Sequence, residues 1–60
     1  MTNTQMLHHW QALTDLLRAA RQGHHIDHQQ TAAIASALLP HAPGFRYTLN
    51  RIVTKSLHKL

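Results

Sequence analysis

The stretch Phe45–Leu60, FRYTLNRIVTKSLHKL, decides the fold. Phe45, Leu49, Ile52, Val53, Leu57 and Leu60 follow one another at steps of 4, 3, 1, 4 and 3 residues. This is the spacing of one helix face; a half-buried strand would need strict alternation. Tyr47-Thr48 and Ile52-Val53-Thr54 carry β-favouring residues, but β propensity is a weaker guide than period. On a wheel of about 100° per residue with Tyr47 at 0°, Arg51 stands at about 40°, Lys55 at about 80° and Lys59 at about 120°. The apolar arc runs from about 140° to about 280° on the same wheel. The stretch therefore reads as a rod with an apolar side and a cationic flank.

Gly23, Pro40 and the Pro43–Gly44 pair cut the chain into three pieces, since Gly and Pro punctuate regular structure. In the first piece Met6, Trp10, Leu13, Leu17 and Ala20 form one helical stripe. Thr2 followed by Gln5 has the form of a capping box, and Gly23 suits a left-handed stop. The second piece opens on Asp27, an N-cap residue, with Gln30 placed to reach back. Its Ile34 and Leu38 stack four apart with Ala33 and Ala37 beside them, and the alanines permit close approach of a neighbour. The expectation is an all-α, single-domain protein of three helices over about residues 4–22, 28–39 and 44–59. The second and third helices also fit a helix-turn-helix loosely, with the third as recognition helix. The connection from Pro40 to Gly44 is longer than that motif's tight turn and carries two prolines.

Composition agrees with a folded chain: 43% of the 60 residues are hydrophobic and 13% charged, the reverse of a disordered composition. A chain this short buries only about 60% of its unfolded surface, and a core of this size rarely supplies more than about 3–5 kcal/mol. Self-association as a homo-oligomer, or a standing partner, is expected on that ground. No apolar run approaches the length of about 20 residues that spans a bilayer, so a cytoplasmic location without membrane contact is expected. The third helix is basic and amphipathic, but it lacks the aromatic pair that anchors interfacial helices.

The net charge of +4 sits wholly in residues 31–60, where Arg46, Arg51, Lys55 and Lys59 meet no acid. Arg18 and Arg21 offset Asp15 and Asp27 in the first half. Such asymmetry points to an anionic partner. The leading reading is a small DNA-binding regulator: Arg46, Arg51, Lys55 and Lys59 contact phosphates, and Tyr47 and Asn50 reach bases. The runner-up is a non-catalytic inhibitor or adaptor that binds a larger protein. Its contact surface would be Trp10, Leu13 and Leu17, because tryptophan is favoured at binding hot spots. Its size and simplicity would suit a phage- or plasmid-encoded modulator of a host enzyme.

Other chemistry finds no foothold. Cysteine is absent, which excludes disulfides, thiolate zinc sites and thiol nucleophiles. Two aspartates and two glycines supply neither a carboxylate pair nor a phosphate loop, and Ser36 and Ser56 lie in predicted helix interiors. No enzyme activity and no cofactor are expected. Seven histidines are the compositional oddity. His24 and His28 have the spacing of a helical metal pair, yet Gly23 and the Asp27 cap place His24 in a loop, so no metal site is expected. Histidine gains charge on acidification, and anion binding is expected to strengthen below about pH 6.5.

Overall fold

The computed structural model describes residues 2–59. Three helices run in chain order: α1, Asn3–Arg21; α2, His28–Leu38; and α3, Arg46–His58. Two 3-10 turns, Leu39–His41 and Pro43–Phe45, join α2 to α3. No strand forms among the described residues. The all-α, three-helix architecture is therefore the one the periodicity predicts, and the helix-turn-helix arrangement with its tight turn is replaced by the double 3-10 connection.

Each boundary has a local cause. At the start of α1 the Thr2 hydroxyl accepts from the Gln5 N–H at 3.1 Å, and the Gln5 side chain accepts from the Thr2 N–H at 3.0 Å. This is a complete capping box. At the other end Gly23 takes φ 85°, a conformation that costs glycine nothing. The His24 N–H then donates to the Ala19 carbonyl and the Gly23 N–H to the Ala20 carbonyl, at 3.0 and 3.1 Å. That pair of bonds is a Schellman stop. At the start of α2 the Asp27 carboxylate accepts from the Gln30 N–H at 3.0 Å; the return bond expected from the Gln30 side chain is not made. Pro40 cannot donate to the helical ladder, and the chain leaves α2 in a 3-10 turn. The third helix begins at Arg46 rather than at residue 44, because Pro43–Phe45 tighten into the second 3-10 turn.

The middle helix sits between the other two, and α1 and α3 have no close backbone approach to each other. The core is Leu13 of α1, Ala35 and Leu38 of α2, and Leu49 of α3, each 0–2% exposed. Met6, Trp10, Leu17, Ile34, Ile52 and Val53 pack around it. Thr31 is buried too, and its hydroxyl donates to the Asp27 carbonyl at 2.9 Å.

The faces differ in detail from the sequence reading. The buried side of α2 is Thr31, Ala32, Ala35 and Leu38, whereas Ala33, expected beside the packed face, points to solvent. In α3 Ser56 is buried while Leu57 is 54% exposed. Ser56 stands at about 180° on the wheel, inside the arc, and Leu57 at about 280°, its edge. Phe45 is also 57% exposed, held edge-on against Trp10 with ring centroids 5.2 Å apart. Leu60, expected on the same arc, lies outside the described residues.

The accessible surface is 4522 Å², against about 3,950 Å² for a compact monomer of this mass. The excess surface agrees with two helices leaning on a third without closing on each other.

The orientation of α2 is directly testable. Ala35→Leu is expected to cost about 1–3 kcal/mol by overpacking, and each kcal/mol lowers the Tm by about 4–8 °C in a domain of this size. Ala33→Leu is expected to stay within about 0.5 kcal/mol of the parent. Thermal unfolding followed by circular dichroism reads both, and the reverse ranking would show that α2 is turned the other way.

Candidate functional site

Because the backbones of α1 and α3 share a neighbour but do not approach each other closely, a groove of about 510 Å³ opens between them. Leu17, Ala20 and Arg21 of α1 form one wall, and Tyr47, Thr48, Arg51, Lys55 and Lys59 line the other. Ile26, His28, Thr31, Ile52 and Ser56 complete the lining. Of these, Leu17, Ile26, His28 and Ile52 are half-buried and Thr31 and Ser56 buried, so they make the floor. Arg21, Tyr47, Arg51, Lys55 and Lys59 are exposed and make the rim.

Helix direction produces this convergence. Trp10 of α1 meets Phe45 just before α3, and Arg21 shares the groove with Lys55 and Lys59 near the end of α3. The first and third helices thus run in the same sense and end near each other. Arg51, Lys55 and Lys59 follow at intervals of about 6 Å along the axis of α3. Four cations therefore border one groove.

Among the described residues no carboxylate lines the groove. Asp15 lies in a separate hollow with Trp10, Gln11, Thr14 and Arg18. Asp27 adjoins the lining residues Ile26 and His28, but its carboxylate is bound to the Gln30 N–H of α2. Cations at helix C-termini also offset the negative end of the helix dipole. Arg21 and Lys55 lie in such last turns, and Lys59 is the C-cap of α3. Arg51, mid-helix, has no such local role. It stands one turn before Lys55, where like charges on a helix repel.

The residues singled out from the sequence divide clearly. Tyr47, Arg51, Lys55 and Lys59 gather at the groove. Arg46 and Asn50 do not line it; they stand at about 260° and 300° on the wheel, on the side of α3 turned away. Trp10 is half-buried against the core and lines the second hollow. Leu13, 2% exposed, faces the core and offers a partner nothing, and Leu17 serves the groove floor. Sequence reasoning missed Arg21 and His28. Arg21 reads from the sequence as an ordinary last-turn cation, and its place opposite α3 depends on the path of the chain through α2.

The histidines do not assemble. His9 Nδ1 donates to the Gln5 carbonyl at 2.8 Å on its own helix, and His28 alone lines the groove. Among the described residues no group of three His, Cys, Asp or Glu side chains is placed to hold a metal ion. Nor, among those residues, is any helix long and apolar enough to cross a membrane. Set against protein-family models, curated proteins and solved structures, the chain matches none.

Like-charge crowding predicts a conflict between stability and the groove. Arg51→Gln removes the repulsion with Lys55 and gives up no contact with a helix end. Its Tm is expected to equal or exceed the parent's at low salt, with the difference vanishing near 1 M salt, where the screening length is about 3 Å. A clear fall in Tm at low salt would mean that Arg51 is held by an attractive partner.

Proposed function

We propose that this protein is a small, non-catalytic nucleic-acid-binding regulator that takes the phosphate backbone into the groove between α1 and α3. The observation that carries the reading is the four-cation rim of Arg21, Arg51, Lys55 and Lys59 around a groove that no carboxylate of the described residues lines. Phosphate contacts of this kind supply affinity and position the chain without reading sequence. Arg51 weighs most, because helix-end electrostatics account for the other three cations and leave it unexplained. Tyr47, 75% exposed at the rim, is the side chain available to a base.

A second reading, a protein-binding inhibitor or adaptor, draws on a different place. Phe45 is 57% exposed and rests edge-on against the half-buried Trp10. Aromatic anchors of this type are enriched at the centres of protein interfaces. A stable complex there would bury about 1,200–2,000 Å² in total, and its affinity would change little with salt.

Salt separates the two. Fluorescence anisotropy of a labelled oligonucleotide, titrated with the protein at increasing KCl, is expected to give a slope of log K against log salt between about −3 and −4. Arg51→Ala or Lys55→Ala is expected to weaken binding and to reduce that slope by about one. Arg46→Ala, on the far side of α3, is expected to keep the parent slope. No binding at low salt, or binding indifferent to salt, would overturn the phosphate reading. Loss of slope on removing Arg46 alone would move the contact to the other side of α3.

A further inference from the structure

We propose that the occupant of the groove is an unpaired nucleic-acid strand, with a base stacked on Tyr47 and the backbone running past Arg51, Lys55 and Lys59. This rests on the nucleic-acid reading above and narrows it to one kind of ligand.

The shape of the site argues against a duplex. A helix that reads double-stranded DNA must enter a major groove about 12 Å wide and 8.5 Å deep, so it must stand clear of its neighbours. The cationic flank of α3 does the opposite: it is one wall of a trough whose other wall is Leu17, Ala20 and Arg21 of α1. A duplex laid across the mouth would meet the rim and leave the floor empty. A single strand is thin and flexible enough to lie along the trough.

The chemistry of the trough is that of a strand-binding site. Proteins that hold unpaired strands combine a positive groove that tracks the backbone with aromatic faces on which bases stack. Both parts are present on α3. The Tyr47 ring is 75% exposed, stands at one end of the cation row, and precedes Arg51 by four residues, about 6 Å along the helix axis. From Tyr47 to Lys59 the row covers about 18 Å, room for a short run of nucleotides. The half-buried floor of Leu17, Ile26 and Ile52 is apolar and suits the faces of unstacked bases, which a duplex keeps hidden.

The test compares three labelled probes by anisotropy at low salt: an oligothymidylate of about twelve nucleotides, an oligouridylate of the same length, and the oligothymidylate annealed to its complement. At least one single strand is expected to bind about tenfold or more tightly than the duplex. Tyr47→Ala is expected to weaken strand binding by about tenfold, and Tyr47→Phe, which keeps the ring, by no more than about twofold. Helical circular dichroism of both variants should equal the parent's, because the side chain is exposed. Duplex binding as tight as strand binding, or an unchanged affinity for Tyr47→Ala, would overturn this inference while leaving phosphate binding in place. If no probe binds, the nucleic-acid reading itself falls, and this inference with it.

Discussion

Thr31, Ala32 and Ala35 give α2 a side with little side-chain bulk, and two helices close on it from different directions. Leu13 comes from α1 and Leu49 from α3, and both end beside Ala35 and Leu38. Larger residues at these positions would hold the helices off, and the core of a 60-residue chain has no reserve to absorb the loss. The same narrow contact has a consequence on the outside. Helices that each pack on α2 meet only through side chains in the shared core, and the backbones of α1 and α3 remain apart. They are bridged at one end by the edge-on pair of Trp10 and Phe45. Toward the other end they leave the groove.

Charge is distributed with respect to that opening. Two helices running in one sense bring their negative C-terminal ends near each other, and cations there are favourable for both. Arg21, Lys55 and Lys59 thus have a structural function whatever else they do. A protein needing only that neutralisation would have no use for a further cation mid-helix on the same side. Arg51 adds positive charge where the fold gains nothing from it, and neither aspartate lines the groove, one capping α2 and one lying in a separate hollow. An anionic ligand would relieve this unbalanced field.

The three helices were legible because their signals are local. The Thr2–Gln5 box, the Gly23 stop and the Asp27 cap each involve residues a few positions apart, and the 4, 3, 1, 4, 3 spacing of α3 is a property of one segment. The rotation of α2 was harder to read, since Ala32–Leu39 is almost uninterrupted apolar sequence and a run without polar gaps has no phase. In α3 the wheel itself held the answer. Ser56 lies inside the apolar arc and Leu57 at its margin, and position outranked polarity. Arg46 too was separable by its angle, once the helical period was applied to it as it was to Arg51, Lys55 and Lys59. The part of the site beyond reach was Arg21 and His28. Their meeting with α3 is set by how the chain turns through residues 22–27 and back along α2, a tertiary fact with no sequence periodicity behind it.

The central claim is that the opening between α1 and α3 is where this protein meets an anionic strand. The most direct measurement is an amide and side-chain NMR titration of the isotopically labelled protein with a short unlabelled oligonucleotide. The account predicts shift changes concentrated at Arg21, Tyr47, Thr48, Arg51 and Lys55, with Trp10 and Arg46 left in place. Changes centred on Trp10 and Phe45, or none at saturating oligonucleotide, would contradict it.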